Sequence, residues 1–314
     1  MNATADFLAI LLTSLVPILA AAVGGMFAER ARASNIALDG CMLVAALAAI
    51  VAGAKSGNPW IGVLVAVAAG AAYSAILAFA AFFLRCDLII AGIAANLLAT
   101  GVTLLVVQNV LDSPGTYSPT GVDLVPRVPL GPLADIPVLG RALDRQSALL
   151  YVTVVLAVVA AIVLNRTRFG VHVKAVGESD EAALAVGIKP ILVRTVTILI
   201  SGACAGVGGA YLSTSSVASF NSQLTGGLGF IAFAAVIFGR ATPWGTVLAS
   251  LLFAAATSLS IRLQGTDLGI QQLVHALPYV ATVVALSVQA IGLTRRDRYD
   301  VSETTYVPAI IPKG

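Results

Sequence analysis

Apolar residues run along this chain in long blocks separated by short polar joints. Nine blocks stand out: Phe7–Ala28, Ile36–Ala54, Trp60–Leu84, Leu88–Val110, Ala148–Leu164, Ile191–Leu212, Leu228–Gly239, Val247–Ile261 and Leu273–Leu293. A helix rises ~1.5 Å per residue, so most of these blocks are long enough to cross ~30 Å of hydrocarbon. Leu228–Gly239 rises only ~18 Å and needs residues from its neighbours, unless it is a half-helix buried in protein. Val247–Ile261 has a milder form of the same shortfall. The pattern predicts an all-α polytopic membrane helix bundle of about nine spans, within a range of roughly eight to ten. It forms a single domain over residues 1–314, with short or broken helices inside 213–261. The first block reads as a retained span: no Lys or Arg precedes Arg30 and Asp6 is acidic, so the positive start of a secretory signal is missing.

Composition agrees with lipid as the main solvent. Of 314 residues, 59% are hydrophobic and 11% charged, against about 45–50% and about 25% in soluble domains. Mean hydropathy is +0.97. An ordinary cytosolic enzyme and a disordered chain are both excluded. The net charge of +3 shows no basic–aromatic interleaving, so nucleic acid is not an expected partner. Cys41, Cys86 and Cys204 form no disulfide framework, and His172 and His275 lie too far apart in sequence to suggest a metal motif.

Three connections orient the chain. Residues 111–146 hold six prolines and four aspartates, an irregular loop outside the lipid. Residues 165–190 are charged and partly helical in pattern, and the tail 294–314 carries Arg295, Arg296 and Arg298. With both of these cytoplasmic, 13 basic residues fall inside and 5 outside. This charge bias predicts an extracytoplasmic N-terminus and a cytoplasmic C-terminus.

Within the spans, Gly202-x-x-x-Gly206 with Gly208 and Gly209, and the Ala68–Ala72 stretch, suit close helix packing. Asp39 either lines a passage or caps its own helix near the interface. Asn96 is either interhelical glue or a solute contact, and Tyr73 and Ser74 share that ambiguity. Arg194 lies near enough to a span end to snorkel. The polar run from Ser213 to Gln223 is either a solvated loop or a mouth for solute, with Phe220 beside the amide of Asn221. The chain has no phosphate-binding G-x-x-x-x-G-K-[ST] loop, no nucleophile elbow and no H-E-x-x-H helix. Gly227-Leu-Gly229-Phe-Ile-Ala232 matches a relaxed dinucleotide pattern, but it follows a Ser/Asn/Gln-rich stretch and reads as a bend at a broken helix.

The loop from Asn165 to Pro190 carries the positive signal. Ser179 suits an N-cap, and Asp180 and Glu181 suit a first turn. Ala182–Val186 form a small apolar body, Gly187 permits a left-handed stop and Pro190 opens the next span. A two-turn helix of this kind at a membrane surface needs a groove on a partner. The loop resembles the coupling helix of permease subunits in ATP-binding-cassette importers. Its pattern Ala175-Val-Gly177-Glu178-Ser, Ala182-Ala183 and Gly187-Ile188 resembles the branch serving ribose and other simple sugars, nucleosides and branched-chain amino acids. Asn35-Ile-Ala-Leu-Asp39-Gly40-Cys-Met42-Leu43 is similar to the Asn-Ile-Gly-Leu-Glu-Gly-x-Met-Leu motif of nucleoside and simple-sugar permeases, departing at Ala37 and at Asp39. Phe238-Gly239-Arg240-Ala-Thr-Pro243-Trp-Gly245 and Leu277-Pro278-Tyr279 also look like that family.

The resemblance implies a bacterial inner-membrane permease subunit that moves nucleosides or related small polar solutes by alternating access. Simple sugars such as ribose are the alternative solute. An ion-coupled secondary transporter is the rival class, disfavoured by the scarcity of ionisable groups in the spans. Such a subunit performs no covalent chemistry and carries no cofactor, ATP and Mg being held by a separate ATPase. The other implied partners are a second permease (a longer paralogue or a second copy), an extracytoplasmic substrate-binding lipoprotein and the bilayer. ATPase coupling falls to Gly177, Glu178, Ala182, Ala183 and Gly187. The translocation pathway falls to Asp39, Asn96, Tyr73, Phe220 and Asn221.

Overall fold

The structure, a computed structural model, describes residues 3–119, 124–129, 143–144 and 146–264. Seven helices among them are long and apolar enough to cross a membrane. In chain order the helices are α1 (Ala3–Arg30), α2 (Leu38–Ser56), α3 (Pro59–Phe82), α4 (Leu88–Asn109), α5 (Ala148–Arg166), α6 (Arg168–Glu178), α7 (Asp180–Ala185), α8 (Pro190–Tyr211), α9 (Leu228–Phe238) and α10 (Pro243–Gln264). Their starts follow local chemistry. Asn58 accepts from the Trp60 N–H at 3.0 Å with Pro59 at the first helical position, and Asp87 accepts from the Ile89 N–H at 2.8 Å. Two antiparallel ladders of two residues each, β1 (Thr116–Tyr117) with β4 (Phe220–Asn221) and β2 (Arg127–Val128) with β3 (Gln146–Ser147), join the connections.

Eight of the nine apolar blocks appear as helices; Leu273–Leu293 and the tail 294–314 lie outside the described residues. α9 is the expected short helix, at 11 residues. Val247–Ile261 is not short: α10 spans 22 residues from Pro243. Proline needs no partner for a missing N–H at a helix start, and the Thr246 N–H donates to the Thr242 carbonyl at 2.8 Å, so the residues ahead of Val247 join the helix. The run from Ser213 also departs from a solvated loop. α8 continues into a five-residue π turn, Leu212–Ser216, in which Ser213 and Thr214 are fully buried. The Thr214 hydroxyl donates to the Ala210 carbonyl at 2.6 Å.

α8 is the central helix, packed against α1, α2 and α3. Backbones meet where side chains vanish. A Cβ at Gly70 would overlap the Gly202 carbonyl oxygen, and one at Gly209 would overlap that of Met42. Without a hydrophobic force between helices in lipid, such close van der Waals contact is what binds them. Ala68 and Ala72 themselves face outward; Ala66 and Gly70 make the approach to α8. α4 and α5 form the outer wall, presenting Ile90, Leu97, Val155 and Val158 outward.

After α1 the chain turns back into the bundle. Ala31, Ala33, Asn35 and Ala37 are all buried. The Ala31 carbonyl accepts from Arg194 Nε at 3.1 Å, and Asn35 Nδ2 donates to Ser201 Oγ at 3.1 Å. Arg194 and Ser201 are separated by ~10 Å along α8. α2 therefore begins inside the bundle, after a non-helical segment whose Ala33, Asn35 and Ala37 are covered by protein.

Candidate functional site

Two neighbouring arrangements draw the functional residues together. The first is the arm α6–α7. Thr167 breaks the helix after α5 and caps α6 by accepting from the Gly170 N–H at 3.3 Å. Ser179 separates α6 from α7 and accepts from the Ala182 N–H at 3.3 Å. Gly187, with φ at +80°, ends the arm in the left-handed region, and Pro190 starts α8. The expected cap, acidic first turn and stop are thus in place, but α7 has only six residues and not two full turns.

The arm is tied to the bundle on one side and bare on the other. A Cβ at Gly177 would overlap the Arg30 carbonyl oxygen, so glycine is what lets α6 lie on the end of α1. Ala183, expected on the docking face, is buried and faces inward; a larger side chain there has no space before it meets the chain's own core. Arg194 does more than snorkel. Its Nη1 and Nη2 donate to both Asp180 carboxylate oxygens, at 2.9 and 2.8 Å, while Nε holds the Ala31 carbonyl. Such a fork fixes direction as well as distance. Outward, Ala182, Glu178 and Gly187 are exposed with Leu184 at 58% and Val186 at 72%. Beside the arm a cleft of about 340 Å³ gathers Glu29, Arg30, Arg32, Lys174, Glu178 and Arg240.

The second arrangement is a polar node at the start of α2. Asp39 lies in the first turn of α2 yet makes no bond to its own helix terminus. Its Oδ1 accepts from the Gly229 N–H at 2.9 Å and its Oδ2 from the Thr225 hydroxyl at 3.0 Å. It caps α9 instead. The N-termini of α2 and α9 thus converge on one acidic side chain, whose oxygens accept the N–H and hydroxyl donors offered there. A Cβ at Gly229 would overlap the Asp39 backbone, and Gly227, with φ at +81°, turns the chain into α9. The glycines of the relaxed dinucleotide pattern thus serve a bend and a close approach.

Asn96 completes the node from α4. Its Oδ1 accepts from the Gly40 N–H at 2.7 Å and its Nδ2 donates to the Ile36 carbonyl at 2.9 Å. Tyr73 is buried and donates to the Ala95 carbonyl, joining α3 to α4. Asp39, Asn96 and Tyr73 all spend polar atoms on backbone partners. Phe220 and Asn221 lie apart from them in β4, where Phe220 is fully buried opposite Tyr117 and Asn221 Oδ1 accepts from the Gln223 N–H at 2.9 Å.

Four participants were not among the expected site residues. Asn35 stood inside the motif ending at Leu43, and its side chain bridges Ser201 and the Ala37 N–H. Asp180 was readable only as a first-turn acid. Ser201 and Thr225 gave no signal, being single hydroxyls whose partners lie more than 160 residues away in sequence.

Comparison with known proteins places the chain. Residues 7–286 match the model of the branched-chain amino acid transport system / permease component family. The nucleoside ABC transporter permease protein NupC of Lactococcus lactis is 32% identical over 290 residues, covering 86% of this chain and 88% of that protein. The guanosine ABC transporter permease protein NupQ of Bacillus subtilis is 34% identical with the same coverage. The putative glucose ABC transporter permease protein TsgC13 of Haloferax volcanii is 30% identical, over 86% of this chain and 87% of that protein. No solved structure matches the chain. With seven candidate spans among the described residues and a family match over most of its length, this multi-pass membrane protein belongs to the branched-chain amino acid transport system / permease component family.

Proposed function

We propose that this chain is the permease subunit of an ATP-driven importer and that its solutes are nucleosides, with simple sugars such as ribose as the alternative. The observation that carries the reading is the α6–α7 arm, anchored by Arg194, Asp180, Gly177 and Ala183 and bare at Leu184 and Val186. A rigid lever with one apolar edge suits a part that receives force from a separate protein. That protein is an ATPase holding ATP and Mg. Its contact surface is Glu178, Ala182, Leu184, Val186 and Gly187, with Gly177 and Ala183 supporting it from behind. The names of NupC and NupQ support nucleosides over sugars.

The full reading has one domain over 1–314 in the bacterial inner membrane. The N-terminus and residues 111–146 face outward; residues 165–190 and the tail 294–314 face the cytoplasm. The clustering of Arg30, Arg32, Lys174 and Arg240 around one cleft supports that orientation. A second permease, a longer paralogue by resemblance, completes the passage, and a substrate-binding lipoprotein delivers solute outside. Asp39, Asn96 and Tyr73 hold the pathway's walls in position, while Phe220 and Asn221 lie nearer its outer end.

The test is reconstitution of the assembled complex with its binding protein in liposomes. Guanosine is expected to stimulate ATP hydrolysis and to accumulate, with ribose and glucose weaker. Equal stimulation by glucose and none by any nucleoside overturns the solute; uptake without ATP overturns the class.

A further inference from the structure

A groove of about 600 Å³ opens on the outer surface where α1, α5 and α10 meet. Its walls are apolar: Leu15 and Leu19 at the back, Val158 and Ile162 on one side, Val247 and Leu251 on the other. Its rim is different. Arg166 and Asn165 stand at one end, with Trp244 beside them at 78% exposure. Lys174 Nζ donates to Asn165 Oδ1 at 3.1 Å, bringing a second cation to the same rim. Arg166 makes no ion pair or side-chain hydrogen bond among the described residues.

Height identifies the occupant. Leu15 and Leu19 lie midway along α1, and Arg166 ends α5. From Val154, the far end of the groove on α5, to Arg166 the helix rises ~18 Å, close to half of a ~30 Å hydrocarbon core plus the headgroup level. A spanning helix seated here requires a groove about twice that height. One leaflet of lipid does not. Tryptophan at the rim suits the headgroup boundary, and an unpaired guanidinium there suits a phosphate.

We propose that this groove is a binding site for one anionic glycerophospholipid, its acyl chain along the α1–α5–α10 walls and its phosphate on Arg166. The lipid would act as a wedge between α5, which leads into the arm, and α10.

The test is native mass spectrometry of the intact permease complex released from nanodiscs that mix phosphatidylglycerol with phosphatidylcholine. One retained phosphatidylglycerol per copy of this chain is expected. Arg166→Gln is expected to weaken retention about fivefold, from ~1 kcal/mol per basic residue at the membrane surface. Ala161→Phe, which fills the groove from α5, is expected to abolish it, while Val155→Phe on the outward face leaves it intact. Equal retention of phosphatidylcholine, or wild-type retention in both Arg166→Gln and Ala161→Phe, overturns the proposal. A photo-crosslinking residue at Val247 decides the case even where Ala161→Phe fails to fold. Attachment to lipid supports the site; attachment to a peptide from 273–293, or to another subunit, overturns it.

Discussion

Arg194 and Asp180 join the arm to the central helix, and the strength of that joint follows from its geometry. An exposed ion pair contributes about 0–1 kcal/mol, whereas breaking a buried one by removing one partner costs about 3–5 kcal/mol. Here Arg194 is 19% exposed and Asp180 45%, so the pair sits between those limits and screening takes much of its gross attraction. Two parallel N–H···O bonds at 2.9 and 2.8 Å raise it above a single contact. A coupling energy of ~1–2 kcal/mol results. Asp180→Asn removes the charge, keeps the shape, and is expected to cost about that much. Arg194→Ala costs ~1 kcal/mol more, because the Ala31 carbonyl is then left without its donor. The double variant is expected to match Arg194→Ala alone.

Thermal unfolding of the four proteins in detergent supplies the cycle. Repeating it in 1 M salt, where the Debye length is ~3 Å, is expected to shrink the coupling of so exposed a pair. In liposomes, Asp180→Asn is expected to hydrolyse ATP near the wild-type rate while moving less solute per ATP. Additive single effects together with an unchanged solute-to-ATP ratio refute the reasoning, since the pair then neither holds the arm nor transmits its movement.

Two further outcomes follow from the same contacts. Asp39→Ala deprives Gly229 and Thr225 of their acceptor, so a loss of ~1–3 kcal/mol in the unfolding of the assembled complex is expected, with Asp39→Asn losing less than half of that because its oxygen still caps α9; a wild-type melting temperature for Asp39→Ala removes the capping role. Val186→Arg places a charge just past α7 on the exposed edge of the arm, where burial against a partner without a counter-ion costs several kcal/mol; the variant is expected to insert normally yet lose its ATPase in pull-down, and wild-type uptake by it removes that edge from the docking surface.

The spans and the arm were legible in the sequence because both rest on local chemistry. Length and hydropathy mark a span whatever its neighbours, and Ser179, Gly187 and Pro190 act within a few residues of themselves. Where the reading failed, a distant partner decided. Arg194 looked like a snorkelling end residue because nothing local points to Asp180, fourteen residues away across the turn at Gly187. Ala183 looked like docking surface because its small size fits an interface and a core equally. Asp39 invited a choice between its own helix and a passage, and the structure gives it to α9, 190 residues onward. The polar run from Ser213 read as loop because hydroxyls look alike whether solvated or bonded to the carbonyl four residues back.

The arm and the node are one connected structure, and the connection is a short piece of backbone. Arg194 binds Asp180 of α7 and the Ala31 carbonyl at once. From Ala31 a non-helical segment, buried at Ala33, Asn35 and Ala37, runs to Asn35, pinned to α8 through Ser201, and on to Asp39, which holds the N-terminus of α9. Every step is a named hydrogen bond or a few covalent bonds. α9 itself is a short helix of 11 residues, held at its N-terminal side by Thr225, Gly229 and the Asp39 side chain. If α7 receives force from an ATPase, as proposed above, these contacts connect it to a short helix inside the bundle, and Asn96 ties α4 to the same line through Gly40 and Ile36. Packing by backbone-on-backbone glycine contacts permits such movement to be a discrete slide rather than a gradual bend, because close-packed surfaces have few intermediate fits. The acid at the centre of the node is then best understood as the latch of α9, joined to the first turn of that helix by the Gly229 N–H and to the preceding turn by the Thr225 hydroxyl.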